Sequence, residues 1–124
     1  MEIIATEKAP KAIGPYSQAI RFGNILYSSG QIALDHATGN LVDGDFAAQV
    51  RRVFENLKAV LTAAGTDFSR VVKATVYLTD LANFVTLNEI YASYFGDTKP
   101  ARTTVGVSQL PKSALVEIDL IAMV

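Results

Sequence analysis

Hydrophobic residues recur every three or four positions through the middle of the chain, which is the period of an α-helix packed on a core. The repeat begins after Asp45, which can cap a helix N-terminus, and stops before Gly65, which suits the position just after a helix. Charged residues fall between the hydrophobic ones. The pattern predicts a long amphipathic helix with core positions Phe46, Val50, Val53, Phe54, Leu57, Val60, Leu61 and Ala64.

A shorter stripe predicts a second helix, capped by Asp80 and ending at Gly96. Asn88 lies inside this stripe. Because a buried asparagine needs hydrogen-bond partners, either a nearby loop backbone satisfies Asn88 or its side chain contacts a ligand. The hydrophobic positions of the stripe are Leu81, Phe84, Tyr91 and Phe95.

Alternating hydrophobic and polar residues predict strands around these helices. Segments 18–22 and 25–29 flank Gly23-Asn24, a two-residue hairpin signal. Segment 71–79 alternates, and segments 101–107 and 115–123 close the chain. In the first of these three, Val72, Ala74, Val76 and Leu78 are expected on one side and Val71, Lys73, Thr75 and Tyr77 on the other.

The element order ββαβαββ predicts one α+β domain over residues 1–124, a two-layer sandwich with a mixed β-sheet and two helices on one face. On the last strand, Val116, Ile118, Leu120 and Ala122 are expected under the helices. The other sheet face would present Leu115, Glu117, Asp119, Ile121 and Met123. Because a mixed apolar face of this size usually marks an interface, and because the mean hydropathy of +0.26 is high for a small monomer, we expect a homo-oligomer.

Composition excludes several classes of site. The chain has no cysteine, which excludes disulfides, thiolate nucleophiles and cysteine-bound metals, and its one histidine, His36, lies in a run of turn formers. We therefore expect no metal and no Ser-His-Asp triad. The 11 basic residues are dispersed among 12 acidic ones, which argues against a nucleic-acid partner. No segment has the length of a membrane span or the pattern of a signal peptide, so we expect a cytoplasmic protein without a membrane partner.

Two pairs of polar residues could carry chemistry. Arg102 and Thr104 share one side of the fifth strand, and Glu117 and Asp119 share one side of the sixth. If both pairs lie on the outer face, Arg102 could hold a carboxylate and Glu117 could transfer a proton. The alternative is a structural Arg–Glu salt bridge.

Two turns add weaker candidates. The turn at residues 13–16 could place Tyr16 over a pocket, and the segment around Ser29 and Gly30 ends a strand with a hydroxyl and an unhindered backbone N–H. Most turns of these kinds are only structural.

Seven segments, spread in unbroken order over almost the whole chain, resemble the RidA/YjgF/YER057c/UK114 family. They are Ala12–Ala19, Ser28–Ile32, Val72–Leu78, Asn88 with Tyr91, Lys99–Arg102, Leu110–Pro111 and Val116–Ile118. The resemblance implies a chorismate-mutase-like fold and a homotrimer with clefts between its subunits. It also implies a cofactor-free 2-iminobutanoate/2-iminopropanoate deaminase, which would hydrolyse enamines and imines such as 2-aminoacrylate to a 2-oxo acid and ammonia.

The resemblance also implies roles for individual residues. Arg102 would hold the substrate carboxylate, Glu117 would activate water, and the backbone of Thr104 would bind the substrate nitrogen or the water. The residues implied to line the cleft are Tyr16, Ser29, Gly30 and Asn88. The chain departs from the common family pattern at Thr104, where cysteine is usual, and at Gly106, where glutamate is frequent.

Two other functions are compatible with the same residues. The cleft could bind a 2-oxo acid or an amino acid as a regulatory module with little turnover, since one fold hosts many functions. An RNA-cleaving activity is the less favoured alternative, because the charge of the chain is near neutral.

Overall fold

The computed structural model describes residues 1–124. Six strands and two α-helices follow one another along the chain, with three short 3₁₀ turns between them. In chain order the strands and helices are β1 (Glu2–Ile4), β2 (Ala19–Phe22), β3 (Ile25–Ser28), α1 (Phe46–Ala63), β4 (Val71–Leu78), α2 (Phe84–Phe95), β5 (Ala101–Gly106) and β6 (Val116–Met123).

The six strands form one sheet in the order β1-β2-β3-β6-β4-β5. Strands β4 and β5 are parallel and all other neighbours are antiparallel, so the sheet is mixed, and both helices pack on one face of it. This architecture confirms the predicted α+β fold. Strand β1 is an addition to the predicted order, because its three residues are too few to produce a periodic signal.

Helix α1 has the boundaries that its sequence predicts. The side chain of Asp45 accepts a hydrogen bond from the Ala48 N–H at 3.0 Å, and Gly65 takes a positive φ of 81° just beyond the helix. All eight predicted core positions are buried. Removing this much apolar surface from water is the main stabilising contribution of the helix.

Strand β4 departs from simple alternation at its start. A bulge between Val71 and Lys73 shifts the register, so Val71 is buried at 3% exposure whereas Val72 is 43% exposed. The predicted sides of these two valines are therefore wrong. The cause is the extra residue of the bulge, which reverses the faces on one side of it. Beyond the bulge, Ala74, Val76 and Leu78 lie in the core as predicted.

The second helix begins later than its stripe predicts. Asp80 accepts from the Ala82 N–H at 2.9 Å and caps a 3₁₀ turn, Leu81–Asn83, after which α2 starts. Leu81 and Phe84 are 53% and 38% exposed, so the first half of the predicted stripe is wrong. The buried side of α2 consists of Leu87, Ile90, Tyr91 and Phe95.

The residues of strand β6 alternate between the two faces of the sheet as predicted. Its four inward residues, Val116, Ile118, Leu120 and Ala122, are at most 1% exposed. The outer face is not covered by any helix, and strand register places several exposed hydrophobic residues on it: Ile3, Phe22, Tyr27 and Met123. Neither helix is both long and apolar enough to cross a membrane.

Candidate active site

Arg102 lies on the helix-covered face of the sheet. Its register partners are Ala74 on β4 and, through it, Leu120 on β6, and both of these residues are in the core. Cross-strand partners point to the same face, so Arg102 points toward α2. Strand β5 is the last strand of the sheet, which leaves one side of the arginine open.

Three residues of α2 contact the guanidinium of Arg102. Its Nη1 donates to Oδ1 of Asn88 at 2.8 Å, and its Cζ lies 4.8 Å from the ring centre of Tyr91 and 5.4 Å from that of Phe84. Both ring distances are in the range of cation–π attraction. Within the chain, Asn88 has no loop backbone partner, and its side chain accepts a hydrogen bond from Arg102.

Thr104 lies two residues further along β5 and on the same face as Arg102. Its hydroxyl is buried and has no hydrogen-bond partner within the chain. The Val107 N–H donates to Leu78 O on β4, so the backbone groups of Thr104 point the opposite way, to the free edge of the sheet. An edge amide of this kind can bind a ligand or a neighbouring chain.

Glu117 lies on the outer face, in the row that contains Tyr77 and Val105. It contributes to a pocket of about 600 Å³ whose wall also includes Tyr16, Ser29 and Gly30. Four of the residues implied by the resemblance therefore share one pocket. Pro111, from a segment that carries the resemblance, also lines the pocket, but the sequence gave no indication of two further wall residues, Lys11 and Lys112.

Burial raises the pKa of the Glu117 carboxyl above its ordinary value, and the neighbouring Asp119 carboxylate raises it further. The pKa of Asp119 is also raised, chiefly by burial, although its hydrogen bond from Tyr77 and the charge of Lys73 oppose the shift. A carboxyl group with a raised pKa exchanges protons closer to neutrality, which suits a general acid or base.

Backbone geometry shapes the wall opposite Glu117. A Cβ placed on Gly30 would lie only 2.6 Å from Oε2 of Glu117, so glycine allows the carboxylate to approach the chain. The hydroxyl of Ser29 donates a hydrogen bond to Ser17 O at 2.5 Å, and its backbone N–H donates to Gln18 O. The contribution of Ser29 within the chain is therefore to fix the wall.

Tyr16 stands at the mouth of the pocket with 53% of its surface exposed. Gly14, at a φ of 120°, lets the chain turn so that the Tyr16 N–H donates to Gly14 O at 2.9 Å. The phenol oxygen accepts from the Ile13 N–H at 3.4 Å. The constrained turn thus places Tyr16 in the wall of the pocket.

The structure separates the candidate residues into two groups on opposite faces of the sheet. Arg102, Asn88 and Thr104 lie on the helix side, whereas Glu117 lies on the outer side with its pocket. The condition that Arg102 and Thr104 share the outer face with Glu117 is therefore not met, and no salt bridge joins Arg102 to Glu117 within the chain. The reason is register: Arg102 aligns with Leu120, which is an odd number of positions from Glu117.

No group of three or more histidine, aspartate or glutamate side chains is arranged to hold a metal ion. His36 is exposed on its loop. The chemistry available to the two groups is therefore that of a guanidinium, a carboxyl group with a raised pKa, a phenol and backbone amides.

Comparisons with known proteins identify the family and the fold of the chain. Residues 6–124 match the family described as Endoribonuclease L-PSP. A RutC family protein of Pyrococcus horikoshii is 56% identical over 98% of this chain and 96% of its own length. The 2-iminobutanoate/2-iminopropanoate deaminase of Mus musculus is 47% identical over 98% of this chain and 90% of its own. The crystal structure of RidA from an Antarctic Psychrobacter superposes with a TM-score of 0.96 at 45% identity and covers 100% of both chains.

Proposed function

The chain belongs to the Endoribonuclease L-PSP family, which is the RidA/YjgF family, and on that premise we propose that it hydrolyses reactive enamines and imines that carry a carboxylate. The products are a 2-oxo acid and ammonia, and the best-supported substrates are 2-iminobutanoate and 2-iminopropanoate. The naming of a 47% identical relative for this activity supports the proposal, together with the residues described above.

One observation carries the proposal. Arg102, which can bind a carboxylate, and Glu117, which can transfer a proton, lie on opposite faces of the sheet of one chain. Arg102 stands on an edge strand, so it can be offered to a neighbouring copy. We infer a homotrimer in which the Arg102 group of one subunit completes the Glu117 pocket of the next. The exposed hydrophobic residues on the outer sheet face supply the apolar surface for such an assembly.

The reaction needs few groups in this arrangement. Arg102 holds the substrate carboxylate, and the backbone of Thr104 at the free strand edge binds the substrate nitrogen or the water. Glu117 takes a proton from water as the water oxygen bonds to C2, and gives that proton to the nitrogen, which forms a carbinolamine. It then takes the proton of the new hydroxyl as the C=O bond forms, and gives it to the nitrogen as the C–N bond breaks and ammonia leaves. Because imines already hydrolyse in water, orientation and a proton route account for the acceleration.

The endoribonuclease activity in the description of the family receives no support from this chain. Its net charge is −1, and its single histidine is exposed on a loop. A protein that binds RNA through its phosphates needs a basic face.

The decisive experiment mixes two inactive variants, Arg102→Ala and Glu117→Gln. If each cleft takes these residues from different subunits, random reassembly of an equal mixture restores about a quarter of the clefts, and about a quarter of wild-type activity. The same mixture without dissociation and reassembly is the control, and it stays inactive. Failure of the reassembled mixture to recover activity would show that each site lies within one chain.

Two simpler measurements test the oligomeric state and the deaminase activity separately. Sedimentation at micromolar concentration should give about three times the 13.3 kDa mass of one chain. Ammonia release should accompany enzymatic generation of 2-iminobutanoate in the presence of the protein. Tight binding of 2-oxobutanoate without ammonia release would identify a regulatory binding module in place of an enzyme.

A further inference from the structure

Phe84, Asn88 and Tyr91 lie on one stripe of α2, at positions i, i+4 and i+7. All three contact the guanidinium of Arg102 from this stripe, one by a hydrogen bond and two by their rings. Phe84, Asn88 and Tyr91, called here the Arg102 seat, thus contact one side of the guanidinium from a single helix face.

Tyr91 is fixed more firmly than a surface residue. It is only 8% exposed, and its ring packs against Phe95 at 4.4 Å and Phe54 at 5.9 Å between centres. Its hydroxyl is buried without a partner in the chain, and burial raises the pKa of the phenol. The contact with Arg102 is therefore made by a neutral ring that cannot move away.

The hydrogen-bond acceptor for Arg102 is also neutral. Asn88 offers an amide oxygen, and it uses one of the five N–H groups of the guanidinium. Glu117, whose pKa is raised by burial and by Asp119, lies on the opposite face of the sheet from Arg102. The guanidinium is held in place by groups that do not neutralise its charge.

We propose that Phe84, Asn88 and Tyr91 are positioning residues that orient the Arg102 guanidinium while leaving its full charge for a carboxylate ligand. The inference rests on the proposed function, in which Arg102 binds the substrate carboxylate. Arginine loses considerable rotamer freedom when it binds, so an arginine that is already oriented binds a small anion more tightly. A carboxylate at position 88 would occupy the guanidinium that the substrate needs.

The central test is Asn88→Asp. We expect KM for 2-iminobutanoate and Kd for unreactive 2-oxobutanoate to rise about 10- to 100-fold, because the new carboxylate competes for Arg102. We expect kcat to change little, since the lost binding is shared by ground state and transition state. Ser93→Asp, which places the same charge at an exposed position of the same helix about 140° around its axis from Asn88, is the matched control.

Thermal melting separates positioning from a structural role. Asn88→Asp should melt at or above the wild-type temperature because it gains an ion pair with Arg102. If it melts there and binds 2-oxobutanoate as tightly as the wild type, the proposal is wrong. Phe84→Leu provides a second test on a partly exposed ring, and should weaken binding about 2- to 5-fold.

A readout that does not depend on turnover distinguishes the failure of this proposal from that of the proposed function. In ¹⁵N-edited NMR of arginine side chains, a seated guanidinium rotates slowly and gives separate Nη signals. We expect separate Arg102 signals in the wild type and averaged signals in Asn88→Ala. Averaged signals in the wild type would contradict the proposal that the Arg102 seat orients the guanidinium. Separate signals in a protein that releases no ammonia would support that proposal and reject the proposed deaminase activity.

Discussion

Arg102 and Glu117 are the two charged side chains to which the proposed reaction assigns roles, and the fold holds them by different means. Arg102 is held by side chains of one helix, through an amide oxygen and two rings. Glu117 lies in a pocket whose walls come from loops and strand ends, with the backbone of Gly30 directly against its carboxylate. One half of the site is organised by side-chain packing, and the other half by close approach of the backbone.

This difference predicts where substitutions act. On the Arg102 side, the identity of the side chain should decide the outcome. On the Glu117 side, even a methyl group added to the backbone should matter. The largest expected effect is at Arg102, because a substrate with one carboxylate and one C=N group has few other points of attachment.

Arg102→Ala should nearly abolish kcat/KM, with a loss of about 10⁴-fold, since a charged hydrogen bond and the registration of the C=N group disappear together. Binding of 2-oxobutanoate, measured by calorimetry, should be lost as well. Arg102→Lys keeps the charge but not the planar fork, and it should also lose much of kcat/KM.

A structural function of Arg102 predicts another result. The variant would then melt early, while its folded fraction would turn over normally. Thermal melting beside steady-state kinetics distinguishes these outcomes, and full specific activity in Arg102→Ala would reject the carboxylate-binding role.

Glu117→Gln should lower turnover by about 10²- to 10⁴-fold while it largely spares binding of 2-oxobutanoate, because it removes the proton route only. The raised pKa of Glu117 adds a pH signature. The wild-type rate should fall on acidification through a pKa above the ordinary glutamate value. An unchanged rate in a correctly assembled variant would remove Glu117 from the mechanism.

The same pKa shift fixes the sign of a stability effect. Because the pKa of Glu117 is higher in the folded chain than in the unfolded chain, its contribution to stability is present at low pH and is lost as pH rises through the folded value. Glu117→Gln cannot ionise, so it should melt at or above the wild-type temperature at neutral pH. Differential scanning calorimetry at several pH values checks this expectation.

Gly30→Ala tests the role of the backbone on the Glu117 side. The new Cβ would lie 2.6 Å from Oε2 and 2.9 Å from Cδ of Glu117, so the carboxylate must move. We expect kcat to fall about 10- to 100-fold with little change in the binding of 2-oxobutanoate, since a small misplacement of a catalytic group is costly. Gly30 does not have a positive φ, so alanine adds no backbone strain there and the effect reports on the contact with Glu117.

The sequence predicted where the helices and strands lie better than it predicted which face of the sheet each strand residue occupies. Helix α1 was predictable because a repeating hydrophobic stripe and a capping aspartate agree over 18 residues. The inward face of β6 was predictable because Val116, Ile118 and Leu120 alternate with the acidic residues Glu117 and Asp119. Strand β5 reads Ala-Arg-Thr-Thr-Val-Gly and has no such contrast, so its alternation defines two sides without showing which one the helices cover.

The candidate site shows the same limit. The resemblance supplied residues that the structure gathers into two groups, but the seat of Arg102 depends on Phe84, whose place in a helical stripe suggested the core. The walls formed by Lys11 and Lys112 depend on loop conformations, including positive φ at Lys112, that no periodic pattern encodes.

The smallest expected effect concerns Thr104, on the Arg102 side, where the side chain should matter least. Its hydroxyl is buried without a partner in the chain, while its backbone amide points to the free strand edge. Thr104→Cys removes the hydroxyl and leaves the backbone, so deaminase activity should stay within a few-fold. Removing an unpaired buried hydroxyl stabilises the folded chain, and losing a methyl group destabilises it. Because these two effects offset each other, the unfolding free energy should change by less than about 1 kcal/mol. A hundredfold change in kcat/KM in either direction, with melting unchanged, would show that the side chain takes part in the reaction. Thr103→Cys, on the opposite face of the same strand, is the matched control for introducing a thiol.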